Sequence, residues 1–217
     1  MCGIAGLLDP DHRRTAEDLA AAAGAMTDSL RHRGPDDGGV EIDAAGGAAL
    51  GNRRLAVVDL SPAGHQPMWS PDRRHLLAYN GELYNADELR AELVGDGWAF
   101  RGRSDTEVLL AALAAWGAEE AARRAVGMFA FAVWDTEQRR LVLGRDRFGE
   151  KPLYYGWQNG VLRFGSELRA LRADAAFVGD VDRDALALLL RHTYIPGPHS
   201  IYAGVAKLPP ACLYTWS

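Results

Sequence analysis

Apolar residues fall into short runs and helical stripes separated by polar turns, and their spacing assigns most of the elements. Residues 2–8 are apolar and glycine-containing without clean alternation, which predicts a buried strand closed by Asp9-Pro10-Asp11. Leu19, Ala23, Met26 and Leu30 recur at helical intervals behind Thr15, with Asp18 at capping-box spacing, so 16–30 reads as an amphipathic helix. The stretch RHRGPDDGG, Arg31 to Gly39, is a loop turning on Gly34-Pro35. Strands are predicted at 40–43 and 48–59, the second interrupted by Arg53 and Arg54, and 61–68 is a long polar loop. Residues 76–79 read as a strand and Asn80-Gly81 as a tight turn. Asn85, with Glu88 three residues on, predicts a capped helix to about 94, stopped by Gly95 and Gly97.

Ser104 and Glu107 form the clearest capping box in the chain, followed by Leu109, Leu110, Leu113 and Trp116 on one face and Gly117 as a stop. The second half is richer in strands, at 128–134 and 141–145, then 153–157 and 161–164 joined by an Asn159-Gly160 hairpin signal. Short helices are expected at 166–171 and 182–192. Adjacent hairpins with a few amphipathic helices predict an α+β domain of stacked sheets with helices outside.

Composition narrows the class. The 217 residues are 48% hydrophobic and 24% charged, ordinary values for a packed globular chain. A net charge of −5 gives no electrostatic reason to expect nucleic acid. Two cysteines, Cys2 and Cys212, make neither a disulfide framework nor a zinc site. No signal-peptide pattern opens the chain and no apolar run has membrane-span length, which predicts a cytoplasmic protein.

Four pieces bear chemistry: Cys2, Arg54, Asn80-Gly81-Glu82 and Asp105. Cysteine directly after Met1 becomes the N-terminus once methionine is removed, and then carries a thiol and a free α-amine. That amine has a pKa of about 7.7–8.0, against about 10.4 for lysine, so near neutrality it can act as a base. An N-terminal amine activating its own residue's nucleophile is one established form of covalent catalysis. Amide cleavage by a thiol also needs donors for the oxyanion, which an Asn side chain and the following Gly N–H can supply. An amino-acid substrate presents a carboxylate, suited to arginine, and an ammonium, suited to Glu82 and Asp105.

The strings MCGIAG, RHRGPDDGG, RRLAVVDL, YNGELYN, SDTEVLL, GMFAFAVWD and GRDRFGEKPLYYG occur in an order that resembles the glutaminase domain of glutamine-hydrolysing asparagine synthetases. That domain is a class II glutamine amidotransferase of the N-terminal-nucleophile hydrolase superfamily. The resemblance implies a four-layer αββα sandwich and hydrolysis of L-glutamine to glutamate and ammonia. It implies Cys2 as nucleophile, Asn80 and Gly81 as oxyanion hole, and Arg54 on the α-carboxylate beside Val57 and Val58. Glu82 and Asp105 would hold the α-ammonium. It further implies a partner, a synthetase domain or subunit that receives the ammonia, with ATP and magnesium bound there and no cofactor or metal in this domain.

The family's glycine- and serine-rich pyrophosphate loop (SGGxDS) does not occur in these residues. The expected domain is therefore 2–210, with 211–217 beginning a linker to a synthetase domain. Ala211 departs from the family's usual Gly. Rival readings are a catalytically silent docking module, an ammonia donor to a non-aspartate amide ligase, and a thiol peptidase pairing Cys2 with His32, His65 or His75. Self-association into a homo-oligomer is an open alternative.

Overall fold

A computed structural model describes residues 1–217. In chain order the elements are β1 (Gly3–Leu8), α1 (Ala16–Asp28), β2 (Asp37–Asp43), β3 (Ala48–Arg54), β4 (Met68–Trp69), β5 (His75–Leu83), α2 (Ala86–Gly95) and α3 (Asp105–Arg124). There follow β6 (Gly127–Asp135), β7 (Arg140–Arg145), β8 (Tyr154–Gln158), β9 (Val161–Gly165), α4 (Leu168–Ala173), α5 (Arg183–His192), β10 (Val205–Lys207) and β11 (Leu213–Trp216). The strands form two antiparallel sheets, one ordered β10-β8-β9-β1-β3-β2 and the other β11-β7-β6-β5-β4.

Period-two alternation explains the layering. On β1, Ile4 and Leu8 join a cluster with Ala78, Ala130, Ala132 and Trp134 of the other sheet, so this face is the layer between the sheets. The intervening Ala5 and Leu7 pack instead against Leu19, Ala23 and Met26 of α1 and Leu171 of α4. On β5, Leu77, Tyr79 and Leu83 face Leu89 and Leu93 of α2 and Val108 to Leu113 of α3. The molecule is a four-layer αββα sandwich, as the resemblance implied. Because both faces of β1 are buried, its sequence runs apolar without alternating.

Several expectations change. The second strand was predicted to reach 59, but β3 ends at Arg54. Its ladder partners run out there, since β2 pairs from Asp37↔Arg54 and β1 from Gly3↔Arg53. Asn80-Gly81 is no turn: β5 passes straight through it, paired with β6 from His75↔Asp135 to Leu83↔Gly127. Asn85 makes no side-chain cap. Its amide instead donates to the Arg124 carbonyl at 3.0 Å and accepts from Val126 N–H at 2.9 Å. Ser104 does cap α3, accepting from Glu107 N–H at 3.3 Å, but the Glu107 carboxylate accepts from Arg101 and Gly102 N–H, leaving half a capping box. Helix α3 is broken rather than ended by Gly117, whose φ is 78°. Residues 211–217, expected to begin a linker, carry β11, paired with β7 from Leu213↔Gly144 to Trp216↔Leu141. The Asn159-Gly160 hairpin forms as expected, with φ of 55° and 73°, both left-handed as a type I′ turn requires.

Candidate active site

Cys2 lies just before β1, on the same side of the chain as Ile4, so it faces the end of the layer between the sheets. Its Sγ is 3.8 Å from the Leu55 carbonyl, and its own carbonyl accepts from Arg33 Nε at 2.9 Å. One residue on, Ile4 N–H donates to Ser166 Oγ at 3.0 Å. The start of β1 is thus pinned by two side chains remote in sequence. Arg33 is in turn oriented by Glu167, 2.9 Å from its Nη1.

Asn80 projects towards the same layer end from β5. It is 1% exposed, and neither its amide nitrogen nor its amide oxygen has a hydrogen-bond partner. A buried polar group normally is paired. An unpaired amide on a cavity wall is therefore a donor and acceptor held ready for something else.

The alternation of β5 settles where Gly81 N–H points. In an antiparallel ladder, N–H groups of alternate residues leave opposite edges of the strand. Tyr79 N–H donates to Gln66 Oε1 at 2.8 Å and Leu83 N–H to Asp105 Oδ2 at 3.0 Å, both on the edge away from β6. Gly81 lies between them in that alternation. Its partner across the ladder, Phe129, turns both its N–H and its carbonyl the other way, to Asp146. Gly81 N–H therefore leaves β5 towards the cavity, beside the Asn80 side chain. Glycine is required here, since a Cβ would stand 2.5 Å from the Met128 carbonyl oxygen.

The opposite wall is the loop after β3. Arg54 is 8% exposed, and its guanidinium donates to the carbonyls of Ser61 (3.3 Å) and Asp59. Gly64 makes room for it: a Cβ there would meet Nη2 at 2.2 Å. The nearest carboxylate, Asp37, is 3.9 Å away, a loose pairing. Asp59 accepts from Ser61 N–H at 2.8 Å and Arg103 N–H at 2.9 Å. The Ser61 side chain, then the Arg103 and Ser61 backbones, hold its carboxyl down to about 2. Val57 and Val58 stand out on this loop, 70% and 55% exposed.

Asp105 opens α3 with its carboxylate buried. Oδ2 accepts from the Tyr79 hydroxyl at 3.0 Å as well as from Leu83 N–H. Burial pushes its carboxyl above the usual range, opposed by those two hydrogen bonds. Burial and the neighbouring Asp105 carry the Tyr79 phenol well above its usual value. Glu82 is exposed at the rim.

All eight residues singled out in the sequence, Cys2, Arg54, Val57, Val58, Asn80, Gly81, Glu82 and Asp105, line one cavity of about 160 Å³. Gln66, Tyr79 and Lys151 line it too, and sequence reasoning missed them. Gln66 ties three walls together, through Tyr79 N–H, the Asn52 amide (3.2 Å) and the Thr106 hydroxyl (3.1 Å). Nothing in the string GHQPM signals this. Arg33 belongs to the loop RHRGPDDGG, and nothing in that string marks it as a support for the Cys2 carbonyl. His32 pairs with Glu167, His65 with Asp37 and His75 with Asp135, and none of the three lines the cavity, which removes the Cys–His reading. Met1 sits at the mouth, 61% exposed.

A model of the glutamine amidotransferase domain matches residues 1–217. The chain is 36% identical over 215 residues to asparagine synthetase [glutamine-hydrolyzing] 1 of Bacillus subtilis strain 168, covering 99% of this chain and 33% of that protein. It is 42% identical over 172 residues to asparagine synthetase B [glutamine-hydrolyzing] of Escherichia coli strain K12, covering 79% and 30%. It thus spans about a third of the length of these relatives. Among solved structures, the glutamine phosphoribosylpyrophosphate amidotransferase of B. subtilis, complexed with ADP and GMP, superposes with a TM-score of 0.64 at 23% identity, over 81% of this chain and 44% of that one. That similarity shows a shared fold.

Proposed function

The chain belongs to the glutamine amidotransferase domain family, and on that premise we propose that it hydrolyses L-glutamine to glutamate and ammonia at the Cys2 cavity. The observation that carries the reading is the unpartnered Asn80 amide beside the cavity-facing Gly81 N–H, on the same cavity as Cys2.

Removal of Met1 frees the Cys2 α-amine, which as a peptide nitrogen could take no proton. The thiol then attacks the side-chain amide carbon of glutamine and passes its proton to that amine. The carbonyl oxygen becomes an oxyanion facing Asn80 Nδ2 and Gly81 N–H. The amine gives its proton to the leaving nitrogen, ammonia departs and a γ-glutamyl thioester remains. Water, deprotonated by the same amine, cleaves the thioester to glutamate and restores the thiol. Arg54 takes the substrate α-carboxylate and Asp105 with Glu82 the α-ammonium. The raised Asp105 carboxyl fits a buried group awaiting a cation.

The ammonia passes to a synthetase portion or partner that forms an amide, of the kind named in the asparagine synthetase relatives. The threefold greater length of those relatives supports this. ATP and magnesium belong with that portion. No helix here is long and apolar enough to cross a membrane.

The test is ammonia release from glutamine by the chain after its mass shows loss of methionine, with labelling of Cys2 by a glutamine-mimicking diazoketone. Turnover with labelling is expected. Neither turnover nor labelling would leave the domain a docking module.

A further inference from the structure

Lys151 is a buried lysine on the wall of this cavity, and the mechanism above makes no use of it. It is 5% exposed and lies on the loop between β7 and β8. Its backbone is held from both sides. Asp146 Oδ2 accepts its N–H at 3.0 Å, and its carbonyl accepts from Arg145 Nε at 2.8 Å. The Asp146 carboxylate is already occupied by the N–H groups of Phe129, Phe148, Glu150 and Lys151. The loop backbone at Lys151 is therefore held, and its ammonium pairs with no carboxylate within salt-bridge distance. Nζ ends instead 3.5 Å from Sδ of Met1, the residue whose removal the proposed function requires.

We propose that Lys151 is a positioning residue for the nucleophile: once Met1 is gone, its ammonium shares the cavity with the new α-amine and keeps that amine free of its proton. The inference rests on the glutamine-hydrolysis reading. Two amines on the walls of one cavity of about 160 Å³ disfavour each other's protonation, because a like charge in the same site raises the cost of the second. An α-amine is by its chemical type a weaker base than a side-chain amine, so it is the one of the pair that gives up its proton first. A neutral amine is the form that accepts the thiol proton. The same positive charge favours the thiolate and the later oxyanion.

Other charged groups face Cys2 as well. Tyr79 and Glu82 come from β5, Asp105 from α3, Arg54 from the end of β3 and Asp59 from the loop after it. Arg33, following α1, holds the Cys2 carbonyl. Glu82 and Asp105 pull the amine towards protonation. Lys151 and Arg54 oppose them, but Arg54 is engaged by the Asp59 and Ser61 carbonyls and, in the proposed function, by the substrate carboxylate. Lys151 is the cation without such an assignment.

The experiment compares processed wild type, Lys151→Met and Lys151→Arg, each checked by intact mass and thermal melting. kcat/KM for glutamine is measured across the acidic limb of the pH profile. The rate of iodoacetamide alkylation is followed in parallel on the N-terminal peptide. Lys151→Met, which keeps the side-chain volume and removes the charge, should move both limbs to higher pH by about one unit. Lys151→Arg should restore them. Limbs that superpose on wild type, with activity lowered by one factor at every pH or not at all, would overturn the role of Lys151 and leave glutamine hydrolysis standing. A processed wild type that turns over no glutamine, while Lys151→Met still shifts the alkylation limb, would overturn the substrate reading and leave the electrostatic role. Should Lys151→Met fail to fold, Lys151→Gln is judged on the same two limbs.

Discussion

Cys2, Asn80 and Gly81 sit at one end of the sandwich on or beside strands paired along their length, whereas Arg54 is the last paired residue of β3, and Val57 and Val58 belong to the segment beyond it, which leaves the sheet and finds no partner strand. The first wall is closed. Asn80 is 1% exposed, and Gly81 tolerates no Cβ against the Met128 carbonyl. The second wall is open at Val57 and Val58, and it is held down by a few contacts around one arginine and one aspartate. Groups that must meet a developing charge need fixed positions, because a donor misplaced by an ångström loses most of its effect. Groups that grip the unreactive end of a substrate can sit on an element that opens and closes, and such elements come from the less stable parts of a fold.

If this division is right, substitutions in the two walls should differ in kind. The largest effect is expected from Cys2→Ala, which removes the proposed nucleophile: glutamine turnover should fall to background with the melting temperature nearly unchanged. Asn80→Ala comes next. It should lower kcat by roughly 100- to 1,000-fold with little change in KM, the signature of a donor used in the transition state. A rise in KM at unchanged kcat would move Asn80 from the reacting wall to the gripping one. Arg54→Ala should act the other way round. KM for glutamine should rise by about 10- to 100-fold, the loss of a charged hydrogen-bonded pair, with kcat changed much less. A normal KM would remove the carboxylate assignment.

The same division marks what could be seen in the sequence. Elements with a strong local period were legible: α1 with its Thr15–Asp18 box, the start of α3 at Ser104 and the Asn159-Gly160 hairpin. Asn80-Gly81 was misread for a physical reason. The pair favours a turn locally, but the ladder to β6, formed by a segment far along the chain, imposes an extended strand. The misreading concealed why the glycine N–H is available, since that follows from strand alternation and not from turn geometry. The eight residues that line the cavity could be singled out because residue type and motif order set them apart, and the fold brings them together. Gln66, Arg33 and Lys151 were not, because each matters through atoms met across the fold: for Gln66 the Tyr79 N–H, Asn52 amide and Thr106 hydroxyl, for Arg33 the Cys2 carbonyl, for Lys151 Met1 Sδ. No short-range pattern encodes such meetings.

The smallest expected effect tests the hinge of the open wall. Asp59 joins the loop after β3 to the segment before α3 by accepting from Ser61 N–H and Arg103 N–H, while its own carbonyl accepts from Arg54. It therefore links the arginine expected to hold the substrate carboxylate with the segment leading to Asp105. Its carboxyl lies at about 2, below the ordinary value of 3.8, so the folded form binds its proton more weakly than the unfolded chain does. A depressed carboxyl contributes stability that is fully present above the unfolded value and is lost as pH falls through the folded one. That places the loss between about pH 4 and 2. Asp59→Asn keeps the shape but weakens both hydrogen bonds by removing the charge. It should raise KM by only a few-fold, leave kcat alone and flatten the fall in melting temperature over that acid window. An unchanged acid dependence together with an unchanged KM would mean that Asp59 bears no part of the grip, and that the open wall is held by Arg54 alone.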